Sequence, residues 1–402
     1  MRPRSDGTDG SAASTARRAE FLPFHQPWID EASVKAVVDV LESGWLTRGP
    51  KTEAFERVFA EYVGARHAIG LSSCTAGLHL ALVALGIGPG DEVITSPITF
   101  PATANVVVHQ GAVPVFADVE PATLNIDPAQ IEARITPRTR AIIPVHFAGH
   151  PCRMDAILGL ARRHGLAVIE DAAHAIESAC PAGKVGAMGD FTAFSFYATK
   201  NLTTGEGGML TTNDDALAEQ ARLLSLHGIS KDAWKRYAPD GPLHWETVSP
   251  GYKYNMFDIQ AALGLRQFER LEEWWQVRAV HVARYRQGLA DLPEVTLLAE
   301  QPGIRHAHHL FVILLDSDRL RGGRDAVMAD LRAAGIGTGV HFRSLSLQPL
   351  YRDRQGARPG DLSVAEGVSE RLLSLPLYPK MSPADVDDVL NALHTIVAAR
   401  RR

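Results

Sequence analysis

The sequence predicts an α/β protein, with a large domain around a mostly parallel central sheet and a small C-terminal α+β domain. From residue 91 onward, short apolar runs rich in β-branched residues alternate with stretches of helical periodicity, which is typical of βαβ units. After residue 290, one strand-like run and two helix-like stretches follow a long predicted helix. We therefore predict a large domain over 21–270 and a small domain over 271–402.

The N-terminal region begins with twenty residues that contain no Val, Ile, Leu or aromatic side chain. Such a segment can neither build a core nor serve as the apolar region of a signal peptide, so we predict a disordered arm over 1–20. Apolar residues at helical spacing then predict amphipathic helices over 34–41 and 55–62, and Gly64 would end the second.

The central sheet is predicted to contain strands at 91–95, 113–116, 141–145 and 166–170, with a helix over 154–164 before the last of them. Two further strand-like runs, at 190–197 and 208–212, have only a loop between them. Such a pair predicts an antiparallel insertion at the sheet edge. The C-terminal half is predicted to hold a long helix, a strand and two more helices, over 259–289, 309–315, 325–334 and 383–400.

Composition excludes several classes of protein. Hydrophobic residues make up 46% of the chain and charged residues 22%, values typical of soluble globular proteins. The net charge is -5 and the longest basic block is the final three arginines, so we expect small-molecule partners, no nucleic acid and no membrane. Three cysteines without a CxxC pair favour a reducing cytoplasm over a zinc knuckle or a secreted disulfide framework.

Chemistry-bearing side chains follow two predicted strands. Ligands of open parallel sheets bind beyond the carboxyl ends of the strands, where Asp171 and His174 come after one strand and Lys200 after another. A lysine that loses solvent there is deprotonated more easily than a surface lysine. Taken alone, Asp171 also suits a helix cap and Lys200 an ordinary surface lysine.

A third candidate is the start of the helix near residue 75, where small and hydroxyl residues would offer N–H groups to a phosphate. N-capping by Ser72 or Ser73 is the structural alternative. The sequence has no GxxxxGK[ST] phosphate loop and no GxSxG elbow of a serine hydrolase. The histidines of 305–309 lack an HExxH frame, so we predict no metal site. A phosphate cradle, a carboxylate for a pyridinium nitrogen and a desolvated lysine are together what a pyridoxal phosphate enzyme requires.

Further segments extend this pattern along the chain. They are SGWLTRGP (43–50), SCTAGLHLAL (73–82), GDEVI (90–94), VHFAG (145–149), EDAAHA (170–175), SFYATK (195–200), EGG (206–208) and GYKYNM (251–256). In this order the chain resembles the DegT/DnrJ/EryC1/StrS family of nucleotide-sugar aminotransferases, from about Phe21 to the end. Segments 250–255 and 335–343 are similar to the enzymes that form UDP-4-amino-4-deoxy-L-arabinose. The resemblance implies an aspartate aminotransferase-like fold of type I.

The resemblance also implies a role for each matching residue. Lys200 would form the Schiff base with pyridoxal phosphate, Asp171 would pair with the pyridinium nitrogen, and His174 would reach the ring hydroxyl. The faces of the ring would contact Phe100 and Ala173. The phosphate would be bound by Cys74, Thr75 and Ser195, and by Asn255 of a second subunit. The nucleotide sugar would contact His341 and Arg343, with Trp45 lining its pocket.

The implied activity is amino transfer from L-glutamate to a 4-keto nucleotide sugar, in a homodimer with shared active sites. A sugar 3-dehydratase of the same fold carries histidine at the lysine position, so Lys200 disfavours that alternative. A cyclitol ketone and a 3-keto sugar stay open as alternative substrates. A regulatory module that binds the cofactor without turnover is the alternative from another class of protein.

Overall fold

The computed structural model describes residues 18–229, 246–355 and 360–402. The helices in these ranges are α1 (Glu31–Ser43), α2 (Pro50–Val63), α3 (Cys74–Ala84), α4 (Ala102–His109), α5 (Pro128–Arg134), α6 (Met154–His164), α7 (Asp215–Ser225), α8 (Asp258–Phe268), α9 (Leu271–Leu289), α10 (Gly323–Ala333), α11 (Pro349–Gln355), α12 (Ser363–Ser369) and α13 (Pro383–Arg400). The strands are β1 (His67–Leu71), β2 (Glu92–Thr95), β3 (Val113–Phe116), β4 (Thr139–Ile143), β5 (Ala167–Asp171), β6 (Ala179–Cys180), β7 (Gly183–Lys184), β8 (Phe191–Ser195), β9 (Gly208–Thr212), β10 (Val295–Leu297), β11 (Phe311–Leu315) and β12 (Leu372–Leu375).

The central sheet has seven strands in the order β1-β9-β8-β5-β4-β2-β3. Its pairings are parallel except for the two made by β9, which runs antiparallel to both β8 and β1. The predicted mostly parallel sheet is thus confirmed, and so is the antiparallel pairing of β8 with β9. The predicted edge position of this pair is wrong, because β1, which the sequence pattern did not reveal, pairs outside β9.

Both faces of the central sheet are covered by helices. Adjacent residues of one strand enter different cores, as expected when successive side chains point to opposite faces. Val168 and Ile169 of β5 belong to separate buried clusters, and so do Ala193 and Phe194 of β8. Burial on both faces explains why these strands appear in the sequence as continuous apolar runs.

A second, antiparallel sheet of order β10-β11-β12 lies in the C-terminal part. Its apolar core includes residues of α9, α10 and α13, together with Leu22 from the N-terminal segment. Arg18 forms ion pairs with Asp385 and Asp388 of α13. Residues 1–17 of the predicted arm lie outside the described residues, whereas the last residues of that arm contact the C-terminal unit.

The long helix predicted over 259–289 is interrupted. Helix α8 ends at Phe268 and α9 begins at Leu271, because Arg270 leaves the helical conformation with φ -109° and ψ 2°. Its guanidinium lies over the rings of Trp28 and Trp274. The predicted domain boundary between 270 and 271 coincides with this break and stays a prediction. Among the described helices, none combines the length and apolar character needed to cross a bilayer.

Candidate active site

A cavity of about 460 Å³ opens beyond the carboxyl ends of the parallel strands. This is where open α/β sheets bind ligands. Strand β1 leads into the start of α3, β5 ends in Asp171, and β8 ends in Ser195 shortly before Lys200. Among the residues predicted for the site, the cavity is lined by Cys74, Thr75, Phe100, Asp171, Ala173, His174, Ser195, Lys200 and His341.

The N-terminus of α3 forms one wall of the cavity. Ser73 caps the helix by accepting a hydrogen bond from the backbone N–H of Ala76, at 3.0 Å. Strand β9 passes so close that a Cβ atom at Gly208 would collide with the backbone of Ser73 and Cys74, which accounts for glycine there. The N-cap that was the structural alternative is therefore present. The partial positive charge at the same helix end also faces the cavity, which suits a phosphate.

Asp171 is buried at the end of β5, with only 5% of its surface exposed. Its carboxylate accepts hydrogen bonds from the Thr103 hydroxyl at 2.7 Å and from the backbone N–H of Ala173 at 3.1 Å. Burial raises the pKa of Asp171, while these donors and the nearby Lys200 oppose that rise. A cation placed beside this carboxylate would favour its ionised form.

The Lys200 ammonium lies in the same cavity as Asp171 and the Cys74 thiol. Burial lowers the pKa of Lys200 to about 8, even though Cys74 and Asp171 act in the opposite direction. The amine is therefore free at a pH where an ordinary lysine is fully protonated, as a nucleophile toward a carbonyl requires.

The cavity is also lined by histidines that stay neutral near pH 7. Burial lowers the pKa of both His25 and His341 to about 4, and it lowers the pKa of His174 and His309 well below the usual value. The ring of His174 lies 4.4 Å from that of His309 and is stacked on Phe342 at 5.9 Å. The Nδ1 atom of His174 is buried and has no hydrogen-bond partner among the described residues. It is free to bind a polar ligand atom.

Three predicted site residues do not line this cavity. Trp45 donates its indole N–H to the carbonyl of Arg48, and Arg343 is exposed. Asn255 is buried beside Leu71, at the end of β1, and donates its amide to the carbonyl of Met256. Their predicted contacts with substrate or with a partner's cofactor stay predictions.

The sequence patterns missed other residues of the cavity, among them Phe24, His25, Thr103 and His309. No sequence pattern identifies Phe24 or His25 as site residues, because the N-terminal segment reaches the site only by packing against the C-terminal unit. His309 was considered only as a metal ligand; in the fold its Nδ1 lies 3.0 Å from the Oδ1 of Asn201, next to Lys200. The hydroxyl residues after β2 were a usable signal for Thr103.

Comparison with known proteins decides the family. The family model described as the DegT/DnrJ/EryC1/StrS aminotransferase family matches residues 27–394. The chain belongs to this family. It is a pyridoxal-phosphate-dependent aminotransferase with the type I fold, as the sequence predicted.

Relatives match over nearly the whole chain. The spore coat polysaccharide biosynthesis protein SpsC of Bacillus subtilis is 51% identical over 383 residues, which cover 95% of this chain and 98% of SpsC. The putative sugar aminotransferase Spr1654 of Streptococcus pneumoniae, in its PMP form, superposes with a TM-score of 0.88 at 34% identity, over 94% of this chain and 99% of that one. PseC of Helicobacter pylori, an aminotransferase involved in the biosynthesis of pseudoaminic acid, superposes with a TM-score of 0.86 at 31% identity, over 95% of this chain and 99% of PseC.

The cavity has the donor set that pyridoxal phosphate needs. A capped helix start suits the phosphate, and the buried carboxylate of Asp171 suits a protonated ring nitrogen. The unpartnered Nδ1 of His174 offers a hydrogen bond to a ring substituent, and Lys200 offers an amine for the aldehyde. We infer that these residues bind the cofactor in the roles predicted from the sequence.

The pKa of Lys200 predicts how the cofactor-free enzyme takes up pyridoxal phosphate. The initial rate of covalent uptake should rise roughly tenfold per pH unit below pH 8, because only the neutral amine attacks a carbonyl, and should level off above pH 8. Stopped-flow absorbance between pH 6 and about 10 measures this rate. A rate that still climbs at about pH 10 would show an ordinary lysine and contradict the desolvated site.

Proposed function

We propose that the protein transfers an amino group from L-glutamate to the keto carbon of a UDP- or dTDP-linked 4-keto sugar, possible substrates including a 4-keto-pentose. The product would be an amino sugar for glycoconjugate or antibiotic biosynthesis. The observation that carries the proposal is the meeting of Lys200, Asp171 and the start of α3 in one cavity that neutral histidines also line. The reaction would take place in the cytoplasm, as the cysteine content suggests.

The chain's own groups divide the work of proton transfer. Bound pyridoxal phosphate supplies an electron sink for the carbon that loses a proton. Lys200 would take the proton from the Cα atom of glutamate and, in the reverse half-reaction, would deliver a proton to the former keto carbon of the sugar. Asp171 would hold the proton on the ring nitrogen, and the N–H groups at the start of α3 would hold the phosphate.

The histidines that line the cavity with Lys200 favour a sugar over an acidic substrate as the acceptor. His25, His309 and His341 are neutral imidazoles there, each able both to donate and to accept hydrogen bonds. Phe24 stacks on His341 with ring centroids 5.0 Å apart, which adds an apolar surface. A hydroxylated ring needs such mixed apolar and hydrogen-bonding contacts.

The printed names of relatives support the same substrate class. SpsC is named for spore coat polysaccharide biosynthesis, and Spr1654 is named a putative sugar aminotransferase. The resemblance to enzymes forming UDP-4-amino-4-deoxy-L-arabinose makes a UDP-linked pentose one specific case to test. The cyclitol ketone and the 3-keto sugar are the alternatives.

A substrate panel tests this proposal. The amino form of the enzyme, prepared with L-glutamate, is mixed with UDP- and dTDP-linked 4-keto sugars, a 3-keto nucleotide sugar and a cyclitol ketone. We expect return of visible absorbance with a 4-keto nucleotide sugar, and glutamate should regenerate the amino form faster than aspartate. A response confined to the cyclitol ketone would reject the nucleotide sugar.

We also propose that the enzyme works as a homodimer whose active sites are shared. Val34, Val38 and Leu41 form an apolar stripe on α1 and are 55%, 40% and 51% exposed. Asn255 does not line the cavity of its own chain, and its buried Oδ1 has no partner among the described residues. A second copy would cover the stripe and would place Asn255 at the partner's phosphate.

Mixing two inactive variants tests the sharing. In a hybrid of Lys200→Ala with Asn255→Asp, both defects fall in one site and the other site is intact. If half of the dimers are hybrids, activity should recover to about a quarter of wild type. Subunit exchange and the inactivity of each parent are verified first. Absence of recovery would place Lys200 and Asn255 of one chain in the same site and contradict the shared arrangement.

A further inference from the structure

Two threonines form a hydrogen-bonded chain that ends on Asp171. The hydroxyl of Thr103, on α4, lies 2.7 Å from the Oδ2 atom of Asp171 and 2.8 Å from the hydroxyl of Thr99. Thr99 and Thr103 are 2% and 0% exposed. Both residues also line the cavity that holds Lys200. The pair therefore joins the segment after β2 to the carboxylate at the end of β5.

The direction of the chain follows from counting protons. A hydroxyl has one proton to donate, and Thr103 has three acceptors within reach: the Asp171 carboxylate at 2.7 Å, the Thr99 hydroxyl at 2.8 Å and the carbonyl of Phe100 at 3.2 Å. The shortest, charge-assisted contact is the strongest one, so Thr103 donates to Asp171. Thr99 then donates to the Thr103 oxygen, which polarises the Thr103 hydroxyl and strengthens its hydrogen bond to the carboxylate.

We propose that the Thr99–Thr103 pair is a positioning device that orients the Asp171 carboxylate and keeps it ionised toward the cofactor's ring nitrogen. Thr103 holds Oδ2, while the backbone N–H of Ala173 holds Oδ1. With both oxygens held, the carboxylate plane is set before the cofactor arrives. The inference rests on the role proposed for Asp171.

The electrostatic surroundings of Asp171 make this hydrogen bond important. Burial raises the pKa of the carboxyl, and the hydrogen bond from Thr103 is foremost among the effects that oppose it. The other groups that face Asp171 are the Cys74 thiol from α3, the Lys200 ammonium and His146 after β4. Cys74 is a weak donor at 3.9 Å and cannot replace a hydroxyl.

Two substitutions at position 103 separate the effect of the hydroxyl group from the effect of side-chain volume. Thr103→Val keeps the volume and removes the hydroxyl, whereas Thr103→Ser keeps the hydroxyl and removes a methyl group. The measurements are the dissociation constant of pyridoxal phosphate from each apoenzyme, kcat and KM for glutamate, and the pH dependence of kcat.

For Thr103→Val we expect weaker cofactor binding and a kcat lower by roughly 10- to 100-fold, with KM nearly unchanged, because a hydrogen bond to a charged group is lost. The acid limb of the pH profile should move to higher pH, since Asp171 takes up its proton more readily. Thr103→Ser should behave close to wild type. Equal behaviour of the valine variant and wild type, or equal damage from serine and valine, would overturn the proposal.

Thr99→Val provides the independent check, because it leaves the direct hydrogen bond in place and removes only the donor behind it. We expect a smaller shift of the acid limb in the same direction, and no shift would overturn the two-residue chain. If Thr103→Val fails to fold, the serine and Thr99 variants still decide the question. Failure of wild type to bind pyridoxal phosphate would instead reject the cofactor roles on which the inference rests.

Discussion

Replacement of Lys200 by alanine is expected to abolish both the yellow colour of the purified protein and its transaminase activity. The visible absorbance comes from the covalent linkage between a lysine amine and the cofactor aldehyde, and no other lysine among the described residues lines the cavity. The same amine is the proposed proton carrier, so chemistry should be lost together with the linkage. Absorbance spectra and the glutamate half-reaction, followed with added pyridoxal phosphate, measure the two losses separately.

Lys184 is the matched control for this substitution. Burial lowers its pKa to about 8 as well, and its ammonium lies 3.1 Å from the centre of the Tyr62 ring. It stands on β7 and does not line the cavity. Lys184→Ala should therefore keep the colour and the activity. An active Lys200→Ala enzyme, or a colourless Lys184→Ala enzyme, would contradict the assignment of the lysine.

The strands that are buried on both faces were the easiest part of the fold to predict. Their apolar runs contain no competing helical period, and helix α6 was predicted with the bounds that the structure has. Strand β1 was missed because His67–Leu71 is short and contains glycine, so it lacks the β-branched run that marks β5. The position of β9 inside the sheet depends on its pairing with β1, a long-range contact that no local pattern encodes.

The break between α8 and α9 was missed for a different physical reason. Neither Arg270 nor its neighbours in sequence are glycine or proline, so nothing local predicts a helix end. The backbone of Arg270 is not helical, and its guanidinium contacts Trp28, which is far away in sequence. Tertiary contacts thus override a helical pattern that is locally continuous.

Within the site, residues at strand and helix ends were predictable and residues brought in by other segments were not. Asp171 and Lys200 follow buried strands, so the tendency of ligands to bind at the carboxyl ends of parallel strands identifies both residues from the sequence. His25 reaches the cavity only because the N-terminal segment pairs with Ile336, after α10, through Leu22. That contact spans most of the chain and leaves no periodic trace in the sequence.

Substitution of Asp171 by asparagine is expected to lower kcat by a hundredfold or more while the fold is kept. Asparagine has the same shape but no charge, so it cannot hold the proton on the ring nitrogen, and losing such an interaction costs on the order of a few kcal/mol of barrier. The fold can tolerate the new amide because Thr103 has a second acceptor, the carbonyl of Phe100 at 3.2 Å. Single-turnover rates of the glutamate half-reaction and circular dichroism measure activity and folding.

Asp155→Asn is the control for the loss of one negative charge, because Asp155 is an exposed residue of α6. It should leave the rate unchanged, which separates a local effect at the ring nitrogen from a change in net charge. If Asp171→Asn retained a near-normal rate, another group would have to protonate the ring. His174 could not do so readily, because burial holds its pKa well below the usual value. A hundredfold loss would therefore show that the buried carboxylate of Asp171 is the group that keeps the ring nitrogen protonated.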